Sequence, residues 1–127
     1  MLAKGGLIPH FSVTTVADER FNYSDIWQRK NLLLLSLPHE ASTAREEYLF
    51  EFAARFSALG GDDTASVVTE DRIPGLSNPG AVIVDKWGEI QHVAHAARLA
   101  DLPSADELAD WLSYVQSQCP ECEGEAR

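Results

Sequence analysis

Apolar positions along the chain follow two rhythms, one of period two and one close to 3.6. Phe11-Ser-Val-Thr-Thr-Val16 alternates and is rich in β-branched residues, which predicts a strand. Ala17-Asp18-Glu19 turns the chain, and residues 20–23 predict a short return strand. Ser24 is a good N-cap for a single helical turn through Asp25, Ile26 and Trp27. Leu32-Leu-Leu-Leu-Ser-Leu37 is a continuous apolar run closed by Pro38. Such a run predicts a strand buried on both faces, with layers of helices above and below it. Ser42 and Thr43 then open a long helix, with Thr43 and Glu46 spaced as a capping box. Leu49, Phe52, Ala53, Phe56 and Leu59 keep helical spacing, and Gly60-Gly61 ends the helix.

The second half adds strands at residues 65–69 and 81–84, separated by a loop over residues 72–80 with two prolines and two glycines. Asp85-Lys-Trp-Gly88 is a turn, and residues 89–94 return as its hairpin partner. Pro103 and Ser104 open a last helix, where Ser104 and Glu107 form a second capping box. Leu108, Trp111, Leu112 and Val115 make its apolar stripe. The order is β(β)–β–α–β–β–β–α, a single α/β domain over residues 1–118 with a polar tail at 119–127.

The order gains meaning from one stretch, Asn78-Pro79-Gly-Ala-Val-Ile-Val-Asp85-Lys-Trp-Gly88-Glu-Ile90. It resembles the thioredoxin-like superfamily, and within it the redoxin branch of peroxiredoxins and thiol–disulfide reductases. There a proline introduces a strand that ends in an I-D-x-x-G-x-I hairpin. Gly6-Leu-Ile-Pro-His-Phe11 is similar to the G-x-x-x-P-x-F opening of that branch, one spacer residue shorter. The resemblance implies a thioredoxin-like fold with a central mixed sheet flanked by helices. It also implies oxidoreductase chemistry and a cis bond at Asn78–Pro79. A binding crevice would then lie between Asn78, Pro79, Ser42 and Thr43, where an extended peptide could pair with the Asn78 backbone.

One departure changes the expected activity. A redoxin carries its reactive cysteine at the N-terminus of the helix after the central strand, where helix dipole and free N–H groups favour the thiolate. Here that place reads Pro38-His-Glu-Ala41-Ser-Thr-Ala44-Arg-Glu-Glu47. On a C-x-x-C-R-E-E pattern, Ala41 and Ala44 replace both cysteines. In the T-x-x-C register of peroxiredoxins, Ser42 falls on the threonine and Arg45 on the cysteine. No register supplies sulfur, and thiol exchange needs it.

Other candidates are weaker. His39 could activate Ser42 or Thr43, but helix capping explains both hydroxyls. His92 and His95 stand at odd spacing on a strand, hence on opposite faces, and cannot share one metal ion. Trp87 in its hairpin turn is either a partner contact or a cover over its own hairpin. Glu46, Glu47 and Glu51 read as a solvated helix face.

The cysteines are Cys119 and Cys122, in a Cys119-Pro-Glu-Cys122 near the end of the 127-residue chain. This C-x-x-C suits a redox pair or half of a zinc knuckle, and a tail without a role stays open. No cofactor is required on the first reading. On the second, zinc would be shared as Cys₄ between the tails of a homodimer. The partner expected for a redox pair is a protein or a small thiol. The last helix, about 20 Å long at 1.5 Å per residue, should carry both cysteines away from Ala41 and Ala44.

Charge narrows the partners. The chain has 20 acidic and 10 basic residues, a net charge of −10, which disfavours nucleic acid and anionic membranes. From residue 101 onward there are seven acidic residues and one basic, which should disfavour the thiolate of either cysteine. The opening residues lack the apolar run of a signal peptide, so a cytoplasmic location is expected.

Overall fold

The computed structural model describes residues 1–39, 42–59 and 63–117. Its elements are β1 (Ser12–Thr14), β2 (Arg20–Asn22), β3 (Asn31–Ser36), α1 (Thr43–Leu59), β4 (Thr64–Thr69), β5 (Gly80–Val84), β6 (Ile90–His95) and α2 (Ala105–Ser117). Single turns of 3-10 helix occupy Tyr23–Asp25 and Leu99–Asp101. The element order is the one the sequence predicts, with ends shifted by a residue or two.

A four-stranded sheet in the order β4-β3-β5-β6 forms the centre, and β1 and β2 make a separate antiparallel hairpin. β3 pairs in parallel with β4 and antiparallel with β5, and β5 pairs antiparallel with β6. The sheet is therefore mixed, and its parallel crossover is made by α1. Leu32, Leu33, Leu34 and Leu35 of β3 have no exposed surface. Successive side chains of a strand point to opposite faces, so this one strand feeds two cores. Leu33, Leu35, Ala81 and Ile83 meet Phe52 and Phe56 of α1 and Leu108, Leu112 and Val115 of α2. Leu32, Leu34, Val82 and Val84 meet Ile8, Val13, Tyr23, Ile73 and Leu76.

Both long helices thus pack on one face of the sheet. The expected helical layer on each face is found on this face only. The other is covered by the β1–β2 hairpin, the N-terminal segment and the loop after β4. Their aromatic and aliphatic side chains, Phe11, Phe21 and Ile26 among them, supply the apolar cover that a helix would otherwise give. The N-terminal segment is tied along the β5–β6 hairpin by Gly5 N–H to Ile90 O, Ile90 N–H to Gly6 O and Ile8 N–H to Gly88 O, at 2.8, 2.8 and 3.0 Å.

Three local expectations need correction. Ser24 does not cap the first helical turn but lies inside it, since the turn begins at Tyr23 with Asn22 as an N-cap that makes no side-chain bond. Ser42, not Thr43, caps α1: the Arg45 N–H donates to Ser42 Oγ at 3.2 Å, so the cap lies one residue earlier. Ala53 is exposed, because the buried stripe of α1 runs through Tyr48, Leu49, Phe52 and Phe56. The cap of α2 lies where the spacing puts it, with the Glu107 N–H donating to Ser104 Oγ at 3.1 Å.

One buried phenol, Tyr23, and one half-buried phenol, Tyr48, test how this core treats polar groups. Tyr48 Oη donates to Pro103 O at 2.7 Å and ties α1 to the start of α2. Tyr23 Oη is buried without a hydrogen-bond partner. Burial, with Asp85 nearby, pushes Tyr23 up to about 12; burial, with Glu107 nearby, does the same for Tyr48. Tyr48→Phe is expected to cost about 1 kcal/mol in urea denaturation, and Tyr23→Phe close to nothing, since only the former loses a bond. Raised phenol values stabilise the fold fully below the ordinary value of 10.0 and lose that stabilisation as pH climbs toward about 12. Denaturation midpoints should fall across that window, less steeply when either tyrosine is replaced.

Candidate functional site

The carboxyl ends of β3 and β4 and the start of α1 meet at one edge of the sheet. In open α/β sheets this edge is where ligands bind. Among the described residues this edge is occupied by a polar network. Arg45, in the first turn of α1, has a side chain only 12% exposed, and its Nη2 lies 2.6 Å from Glu70 Oε2. The same oxygen is 2.9 Å from His39 Nδ1. A guanidinium at a helix N-terminus has the wrong sign for the helix dipole, and the Glu70 carboxylate offsets that. Arg45 Nε is buried and has no hydrogen-bond partner.

Beside this pair runs a second chain of bonds. Asn78 Nδ2 donates to Ser36 Oγ at 2.9 Å, and Ser36 Oγ donates to Asp71 O at 2.9 Å. Asp71 Oδ2 accepts the Thr14 N–H at 2.8 Å, and Thr69 Oγ1 donates to Thr14 O at 2.6 Å. These bonds pin the β1–β2 hairpin to the end of β4. Pro79 is buried and the Asn78–Pro79 peptide bond is cis. A Cβ on Gly80 would come within 2.3 Å of Ser77 O, so the chain can close this tightly only with glycine there.

Of the four residues expected to frame a crevice, Ser42 spends its hydroxyl on the cap of α1 and Asn78 spends its amide on Ser36. Thr43 is exposed at the first position of the helix. His39 faces Glu70, so it is not shown activating either hydroxyl. Ala44 is exposed beside Thr43, whereas Ala41 lies outside the described residues, as do Cys119 and Cys122. α2 does run away from this edge: Gln116 Nε2 donates to Thr64 Oγ1 at 3.0 Å, at the opposite end of β4 from Thr69.

His92 and His95 are on opposite faces. His92 stacks on Trp111 at 4.4 Å with the rings 11° apart, and burial holds it below the ordinary histidine range. His95 Nδ1 accepts the Ser77 N–H at 3.3 Å while Nε2 donates to Leu2 O at 2.9 Å. Among the described residues no group of three or more His, Cys, Asp or Glu could hold a metal ion. No helix of the described residues is long and apolar enough to cross a membrane. Trp87 is 44% exposed in its turn, with Lys86 Nζ 5.9 Å from its ring centre.

No protein-family model and no curated protein sequence matches the chain. Solved structures do. AhpC of Enterococcus faecalis superposes with a TM-score of 0.72 over 94% of this chain and 100% of its own, at 15% identity. The fold is thioredoxin-like. The reduced 2-Cys peroxiredoxin of Plasmodium vivax gives 0.65 over 89% and 96%, at 14% identity. A thiol:disulfide interchange protein of the thioredoxin family from Chlorobium tepidum gives 0.63 over 91% and 99%, at 11% identity. This thioredoxin-like chain has the architecture of both peroxiredoxins and thiol–disulfide oxidoreductases.

Sequence reasoning missed Glu70, Asp71 and Ser36. A signal was present: Glu70-Asp71 directly follows the apolar run of β4, and Ser36 interrupts the leucines of β3. Polar groups at strand carboxyl ends, in a fold of this class, are site candidates. Arg45 and Glu70 should behave as one unit. Glu70→Gln is expected to cost about 2 kcal/mol by leaving a largely buried guanidinium unpaired, a figure already reduced for the partial exposure of Glu70. Arg45→Met should cost less, and the double variant no more than Glu70→Gln alone. A coupling near zero in the urea-denaturation cycle would show the pair to be without consequence.

Proposed function

We propose that this protein is a redoxin-fold module without peroxidase chemistry at the start of α1, acting by binding or by thiol exchange through Cys119 and Cys122. The observation that carries the proposal is Arg45. The T-x-x-C register places it on the peroxidatic cysteine, and its guanidinium is held against Glu70 at 2.6 Å. A guanidinium can neither attack a peroxide O–O bond nor leave from a disulfide. The polar network is held by internal bonds, which suits a fixed recognition surface better than a reacting centre. On this reading Asn78, Pro79, Ser42 and Thr43 offer an edge to an extended peptide.

Thiol chemistry, if present, belongs to the tail. The Cys119 or Cys122 thiolate would attack a partner disulfide and form a mixed disulfide. The second cysteine would then displace the partner, leaving the tail oxidised and the partner reduced by two electrons. A zinc ion held between the tails of two chains is the other use of the same sulfurs, and it would show as about half an equivalent of metal per chain.

The decisive measurement is peroxide consumption with excess dithiol. The Cys119→Ser, Cys122→Ser double variant should keep its fold and consume hydrogen peroxide no faster than buffer. Turnover at an enzymatic rate in that variant would overturn the proposal. Wild-type turnover of a peptide disulfide that is lost in the variant would assign thiol exchange to the tail. Absence of turnover, with peptide binding lost on Asn78→Ala, would assign binding to the crevice.

A further inference from the structure

A second surface lies on the face of α2 near the N-terminal segment. Lys4, Glu107, Asp110, Trp111 and Tyr114 line an open groove of about 530 Å³. Trp111 is held in place from one side by the parallel ring of His92, and Tyr114 stands at 90° to it with ring centres 6.3 Å apart. Tyr114 is 55% exposed, so a large aromatic surface faces solvent. Glu107 and Asp110 sit one turn apart on the same helix and bring two carboxylates to the rim. The chain itself shows what such a surface takes: Lys4 Nζ lies 5.4 Å from the Trp111 ring centre. Aromatic faces attract cations, and nearby carboxylates strengthen the attraction.

We propose that this groove docks a basic peptide, one of whose lysine side chains replaces Lys4 on Trp111 between Glu107, Asp110 and Tyr114. Charge complementarity selects this occupant. The chain carries −10, and every charged side chain of residues 101–117 is acidic. An apolar partner would have to strip water from two carboxylates, whereas a basic one gains from both. Lys4 acts as a resident competitor, held by a segment whose backbone is anchored at Leu2 and Gly5. The surface does not depend on the thiol reading, because none of its residues is a cysteine or belongs to the α1 edge.

The test uses the full chain and a short peptide of alternating glycine and lysine, against the same peptide with every lysine acetylated. The indole N–H signals of Trp27, Trp87 and Trp111 are followed by NMR. The lysine peptide should move Trp111 saturably and leave Trp27 and Trp87 in place, and the acetylated peptide should move none. Lys4→Ala should tighten binding by roughly threefold or more, because the competing ammonium is gone. Glu107→Gln with Asp110→Asn, a surface change that leaves the core intact, should weaken it by a similar factor. Equal response to the acetylated peptide, equal movement of all three indoles, or unchanged or weaker binding by Lys4→Ala would each overturn the proposal.

Discussion

Everything else in the fold hangs on β3. Its four consecutive leucines are wholly buried, two on each face, and each face has its own core. Truncating any of them to alanine would remove on the order of 2–5 kcal/mol, comparable with the net stability of a small domain. β3 also has a neighbour on each side, β4 in parallel and β5 antiparallel. The parallel neighbour β4 requires a crossover, which α1 makes, and the antiparallel neighbour β5 begins immediately after Pro79. α1 and the Asn78–Pro79 turn thus each lead into one of the two strands beside this apolar run.

Because the two central strands β3 and β5 are apolar between their ends, their polar groups stand only at those ends. Ser36, Thr69, Asp71 and Asn78 gather at one such end and satisfy one another or the β1–β2 hairpin, while Glu70 beside them pairs with His39 and Arg45. Arg45 enters this group from α1. Its guanidinium closes on Glu70 at 2.6 Å, so the first turn of α1 is tied to the end of β4. The likeness to peroxiredoxins and to thiol–disulfide oxidoreductases rests on backbone geometry at 11–15% identity. Geometry of that kind follows from the leucine strand and its neighbours, whose side chains fill both cores.

A small irregularity arranges the other surface. The β5–β6 ladder shifts register between Ile83 and Val84, so that Val84 pairs with Ile90 while Ile83 pairs with His92. Gln91 is the extra residue, and it donates from Nε2 to Asp85 Oδ2 at 2.9 Å. The bulge puts Ile90 in one core and turns His92 toward the other face, against Trp111. An unbulged strand would place both on the same face. The aromatic face of α2 therefore owes its support to one inserted residue in the hairpin.

The sequence by itself determined the element order, the mixed α/β class and the central strand, because period-2 and period-3.6 burial patterns are local and survive without knowledge of contacts. It also determined that residues 38–47 hold no thiol, which is a matter of composition. Only the tertiary structure decided that both helices share one face, that Ser42 takes the cap, and that Arg45 finds Glu70 twenty-five residues away. The same is true of Lys4 on Trp111, which joins the two ends of the described chain. These pairings depend on which strand ends and loops come together in space. Side-chain charge and polarity carry no periodic signal that would announce such a meeting in advance.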